Sequence, residues 1–300
     1  MTGDGRPGDG RPGDGRSGDD RQGADEPAGV QQAAGQPGDA QPGEAQPGDL
    51  RGLTPRLIGP EITAVFAVSL GASGLISLIQ LIGALTAPKA LSGQHAVLNG
   101  SYAPGRPWLD LSLHLAQMAV NVAPVGLVAY LLARSGESLR TIGVDTRERG
   151  RDLLRGVLLA AGIGGSGLAF YLVVYAAGGN LNVVPDNLPD VWWRIPVLVL
   201  DAAQNGVLEE VLVSGYLLHR LGQLGWTPWR SVGLSSVLRG SYHLYQGFGG
   251  FVGNVVMGVV FGWLYRRWGR AMPLIVAHTL IDVVAFVGYG VLRGRVSWLP

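Results

Sequence analysis

The sequence predicts an all-α fold: a polytopic transmembrane bundle of about seven helices behind a disordered N-terminal tail. Three observations predict it. The 300 residues are 47% hydrophobic and only 15% charged. The first 57 or so are almost purely polar, so the remainder is far more apolar than the average suggests. From Ile58 onward the apolar runs are long enough to cross a hydrocarbon core of ~30 Å, and arginines gather in alternate connections.

Residues 1–57 are read as one unit. They open with GDGRP-GDGRP-GDGRS (3–17) and later run through AQPGE-AQPGD (40–49). Gly and Pro at this density, with interleaved Asp and Arg, cannot bury enough apolar surface to offset chain entropy. With no apolar h-region and no cleavage site, the segment does not read as a signal peptide. A disordered tail is expected, one without a function of its own rather than a docking arm.

Residues 58–300 are read as the membrane domain. Seven spans are expected, at about 58–87, 108–133, 153–177, 194–219, 228–245, 247–265 and 271–292. The fifth is the shortest and turns polar in its second half. Arg134, Arg140, Arg147, Arg149, Arg151 and Arg155 surround one connection, His219, Arg220 and Arg230 the next but one, and Arg266, Arg267 and Arg270 the next but one again. The positive-inside rule then puts the N-terminus in the cytoplasm and the C-terminus outside.

Composition excludes several function classes. With no cysteine, disulfides, thiolate metal sites and cysteine nucleophiles are out. A net charge of +1 without a basic block gives no reason to expect nucleic acid as a partner. Lys89 is the sole lysine while Arg, Gly and Ala abound, a bias that suggests a GC-rich, bacterial genome.

The chemistry concentrates in the last four spans. NGVLEEVLVSGYLLHRL (205–221) carries two adjacent carboxylates, Glu209 and Glu210, in apolar surroundings. An ionisable residue at the bilayer centre costs at least ~2.5–3.5 kcal/mol. The pair lies about ten residues before Arg220, hence ~15 Å deep at ~1.5 Å per residue. His243, about thirteen residues into the fifth span, reaches ~20 Å, and His278 and Asp282, in the seventh, ~12–18 Å. Three helices thus bring two Glu, two His and an Asp to one layer. His278 and Asp282 share a helix face at i,i+4, and Arg239 and His243 have the same spacing.

Any one of these residues could be a structural hydrogen-bonding group. Five at one depth point to a proton path, a substrate pathway or a catalytic site. A proton-coupled transporter would use such a relay near the midplane, commonly in repeated halves, but the first half contains no counterpart of the EE or HxxxD elements. A hydrolase needs a base for water, a second group to hold or donate a proton, and a stabiliser for the developing charge. Adjacent Glu residues and two His supply these, with or without a metal.

The motifs are those of a known family. EEVLVS (209–214), RGSYH (239–243) and HTLID (278–282) resemble the EExxxR, FxxxH and HxxxN/D pattern of the CPBP family. These are intramembrane proteases that include type II CAAX prenyl endopeptidases and bacteriocin-processing or immunity proteins. The resemblance covers about 195–292. Ser214 stands where the family has Arg, and Arg239 where it has Phe. Arg239 is therefore expected as the relocated charge partner of the Glu pair.

The resemblance implies an endopeptidase acting on a membrane-associated peptide or protein in a bacterial plasma membrane. Glu209 leads as base, Glu210 is its partner or a ligand, and His243 helps activate water. His278 and Asp282 bind or polarise the carbonyl. An ionised Asp282 cannot donate to an oxyanion, which favours either a divalent metal such as zinc on Glu210, His243 and His278, or Asp282 as the acceptor that orients His278. A non-proteolytic immunity or scaffold protein is the other reading within the family. Tyr242 and Tyr245 read as interfacial aromatics, Asn254 as a residue that could reach the site, and Asp201 as its outer mouth. GIGGSG (162–167) and GFGGFVGNVVMG (247–258) read as close-packing faces. His95, His114 and His219 carry no expected role.

Overall fold

The computed structural model describes residues 55–292 and Arg295, so the expected tail lies outside the described residues except for its last three. Those three already begin helix α1 (Pro55–Ala67), which is followed by α2 (Leu70–Thr86). The two helices meet at 49° and together cover the first expected span. Helices α3 (Pro107–Arg134) and α4 (Arg149–Ala176) form the next two. Pro107 starts α3, where its missing N–H costs nothing.

Helix α5 (Arg194–Glu209) passes without a break into a π-helical stretch (Glu210–Leu217) and then α6 (Leu218–Gln223). Helices α7 (Pro228–Ser241), α8 (Phe248–Trp268) and α9 (Met272–Leu292) complete the bundle. Among the described residues α3, α4, α8 and α9 are long and apolar enough to cross a membrane, and the bent α1–α2 pair makes a fifth candidate. The two expected spans that fall short of this standard are the ones carrying EE and RGSYH. The first is 16 residues of α-helix before the π-helical stretch, and the second only 14 residues long.

Two short strands were not expected. Strand β1 (His95–Gly100) and strand β2 (Asn182–Asn187) pair in parallel, His95 with Asn182 through Gly100 with Asn187. They join the α2–α3 and α4–α5 connections at one end of the bundle. Ion pairs join the alternate connections at the other end. Arg270 reaches Asp145 at 3.0 Å and Asp152 at 2.7 Å, and Arg220 reaches Glu137 at 2.7 Å. The arginine-rich connections therefore share one end.

The innermost element is the π-helical stretch, every residue of which is buried. Val211, Leu212, Val213 and Tyr216 have no exposed surface and pack with Val128, Leu132 and Ile142. Within lipid, burial brings no gain over hydrocarbon contact, so fit between helices must hold such a core. Glycines supply that fit. A Cβ on Gly206 would come within 2.5 Å of Thr279 Oγ1, and one on Gly258 within 2.8 Å of Ser236 Cα. Helices α5 and α9 thus meet closely, as do α7 and α8. The 247–258 face packs as expected, but 162–167 does so at one glycine only: a Cβ on Gly164 would lie 3.6 Å from Ile281 Cγ1, while one on Gly162, Gly165 or Gly167 would meet nothing within 4 Å. Leu158, Leu168 and Val173 are exposed on the same helix, α4, which fits a lipid-facing surface.

Candidate active site

Glu209 ends α5 and Glu210 opens the π-helical stretch, so the two carboxylates leave the helix at a change of winding, a place where such insertions commonly serve function. Their environments differ. Glu209 lines a cavity of about 270 Å³ together with Tyr242, His243, Tyr245, His278 and Asp282, whereas Glu210 does not line it. Glu210 is completely buried behind it.

Arg239 has no exposed surface and bridges the pair. Its Nη2 donates to Glu210 Oε1 at 2.6 Å and its Nη1 to Glu209 Oε2 at 3.3 Å. The expected charge partner is in place. Ser214, at the position of the family Arg, donates its hydroxyl to the other oxygen of Glu210, Oε2. The aromatic face of Phe261 backs the guanidinium, 5.4 Å from Cζ to the ring centroid.

His243 is not inside a helix, as the sequence reading had it. Helix α7 ends at Ser241, and His243 stands in the turn before a short 3-10 segment (Leu244–Gln246). The turn closes at Gly247, whose φ of 104° suits glycine, and the Asn180 side chain accepts from the N–H of Gly249 at 3.0 Å just beyond. His243 Nδ1 lies 3.0 Å from the carbonyl oxygen of Arg239. A carbonyl can only accept, so Nδ1 carries the hydrogen and Nε2 is left with its lone pair. That lone pair faces Glu209 Oε1 across 4.0 Å.

His278 is oriented by Glu210 rather than by Asp282. Its Nδ1 is 2.8 Å from Glu210 Oε1, within hydrogen-bonding distance, while Nε2 is 3.7 Å from Asp282 Oδ2 and beyond it. Asp282 instead accepts from Asn205 Nδ2 at 3.4 Å. Glu209 Oε2 accepts from Tyr242 Oη at 2.7 Å, so Tyr242 belongs to the site and is not an interfacial aromatic.

Asn205 was not singled out by the sequence reading. It lies four residues before Glu209, one turn away on the same face, and that spacing was the available signal. It ends a chain of amides in which Gln117 donates to Asn121, Asn121 to Gln204, Gln204 to Asn205, and Asn205 to Asp282. Asn254 turns back to the carbonyl of Gly250 on its own helix, at 2.9 Å, instead of reaching the site.

Glu209, Glu210 and His278 could hold a metal ion, since one ligand atom from each lies within 4.8 Å of the others. Glu209 is in this group where the sequence reading had His243. The donors, however, are already committed. Both Glu210 oxygens and Glu209 Oε2 accept from Arg239, Ser214, His278 and Tyr242. A divalent ion on them would lie against a buried guanidinium, and two cations in a low-dielectric site repel strongly. As placed, the residues do not fit a metal bound between the two glutamates.

Residues 191–284 match the family described as type II CAAX prenyl endopeptidase Rce1-like. The match supports the CPBP/CAAX protease family and covers all three motifs, from Glu209 to Asp282. Neither a curated protein nor a solved structure matched the chain.

Proposed function

We propose that this chain is an intramembrane endopeptidase that hydrolyses a peptide bond in a membrane-associated peptide or protein, with Glu209 as general base. The reading rests on one observation above the rest: of the two adjacent glutamates, Glu209 is the one that faces the cavity, with a free oxygen across 4.0 Å from the lone pair of His243. The family match supports the same reaction class.

In this mechanism water between Glu209 Oε1 and His243 Nε2 donates one hydrogen to each. Glu209 takes a proton as the water oxygen attacks the scissile carbonyl carbon, a role worth ~10²–10⁴-fold. His278, fixed through Nδ1 by Glu210, presents Nε2 to the cavity and donates to the oxyanion when that nitrogen is protonated. Glu209 then passes its proton to the departing amide nitrogen as the C–N bond breaks. Glu210 holds His278 and Arg239 without touching substrate, and Tyr242 and Arg239 fix Glu209 from behind. Asp282, as a carboxylate, balances charge beside His278. No step calls for a metal.

The arginine-rich end of the bundle is taken as cytoplasmic, in a bacterial plasma membrane. The test is a comparison of peptide termini in membrane fractions from cells making the wild-type chain or Glu209→Gln. The proposal expects new termini with the wild type alone. Identical termini in both would end it.

A further inference from the structure

The cavity extends well past the catalytic groups. Asp201, Asn205 and Glu209 lie at i, i+4 and i+8 on α5, and all three line it. Asp201 is thus ~12 Å from Glu209 along the helix. Tyr102, His114 and Gln117 line the same cavity.

Two side-chain atoms at this end lack a hydrogen-bond partner. Asp201 makes no ion pair among the described residues, and its Oδ2 is enclosed without a hydrogen bond. His114 is 4% exposed, and its Nε2, 3.7 Å from Asp110 Oδ1, likewise has no hydrogen-bond partner. The ring of Tyr102 holds it from one side, 4.6 Å away between centroids. Elsewhere among the described residues the buried aspartates have a donor or cation: Asp110 accepts from Ser101 and two backbone N–H groups, Asp152 from Arg270, and Asp186 from Arg194. Among the described residues no lysine or arginine lines the cavity, although Glu209, Asp282 and Asp201 all do.

We infer that the Asp201 end of this cavity is a subsite for a cationic side chain of the substrate, a lysine or arginine, with Asp201 as its ion-pair partner and His114 as a hydrogen-bonding wall. The inference rests on the protease reading, whose substrate it narrows. A span of ~12 Å corresponds to three or four residues of extended chain at ~3.3 Å each. The basic residue therefore lies three or four positions from the scissile bond. Its charge would neutralise a carboxylate that no group among the described residues neutralises.

The test uses the full chain in lipid nanodiscs and a short apolar fluorescent peptide in which lysine is moved through every position, with glutamine and glutamate versions of each. Binding is measured in the Glu209→Gln background. The best lysine peptide should bind at least about tenfold more tightly than its glutamine version, the scale of one charge-assisted hydrogen bond. Asp201→Asn should cut that preference to below about twofold, Asp201→Glu should keep it, and Asp201→Lys should favour the glutamate peptide. Equal binding of lysine and glutamine peptides, or a lysine preference that survives Asp201→Asn in a chain that elutes as a single species, overturns the subsite. The chain with Glu209 intact is then given the same peptides, and the cut should fall three or four residues from the lysine. A cut elsewhere also overturns it. Asp201-dependent binding with no cleavage of any peptide would keep the subsite and sink the protease reading, whereas cleavage with no lysine preference would do the reverse.

Discussion

Arg239 and Glu210, neither with any exposed surface, meet at 2.6 Å in the middle of the bundle. The cation comes from α7, one helix away from where the family motif carries it, and Ser214 at the motif position binds the same carboxylate through its other oxygen. Both positions thus reach one group. Arg239→Phe alone should cost roughly 3–5 kcal/mol, the range for breaking a buried pair. Adding Ser214→Arg should recover a good part of the loss. The check is thermal unfolding of all four members of the cycle in detergent, read for non-additivity. A silent Arg239→Phe, or a double variant no better than the single, would show that the two positions are uncoupled.

Tyr242 donates to Glu209 Oε2 at 2.7 Å, and removing a hydrogen bond to a charged group costs about 1.5–3 kcal/mol. If that interaction positions the base, Tyr242→Phe should lower kcat by at least about tenfold and leave KM nearly unchanged. A purely structural Tyr242 would lower stability and spare kcat. Steady-state kinetics beside a melting curve separates the two.

Metal removal should leave the enzyme active. With Arg239 on both glutamates, dialysis against a chelator is expected to change turnover by less than about twofold, whereas a lost catalytic metal would remove at least ~10²-fold. Loss of activity on chelation with recovery on added zinc would contradict the placement of Arg239.

At the arginine-rich end, hydrogen bonding and charge from Arg270 hold the Asp145 carboxyl below its ordinary value. A group depressed in the folded state adds stability that is fully present above its unfolded value, about 3.9 for Asp, and lost as pH falls through the lower folded value. Melting temperature should therefore drop as pH is lowered through and below about 4. Arg270→Met should be less stable at neutral pH and lose less on acidification. The two melting profiles, wild type and variant, provide the check, and parallel curves would refute the assignment.

Much of this was legible in the sequence because apolar run length and charge placement act locally. The spans at α3, α4, α8 and α9 follow from length and hydropathy alone, and the motif spacing singled out Glu209, His243, His278 and Asp282, which line one cavity. Arg239 could be named because a missing cation at 214 needed a replacement nearby. What failed depends on tertiary contact. The turn at His243 is set by Gly247 and by Asn180, which is distant in sequence and could not be inferred from a short polar run. The winding change at Glu210 has no local signature. Nor does a motif say which of two adjacent glutamates faces the cavity, since that depends on the helix rotation fixed by close approaches such as Gly206 to Thr279. Strands β1 and β2 are too short for their alternation to stand out, and their pairing joins connections far apart in the chain.

The account stands most directly on Glu209 being the base and Glu210 the buried support. On a peptide sequence identified from the cleaved termini, kcat should be measured for wild type and Glu209→Gln, each shown to be folded by its melting transition. The account predicts a loss of at least ~10²-fold in kcat with the fold intact. A folded Glu209→Gln protein that turns over at the wild-type rate would contradict it.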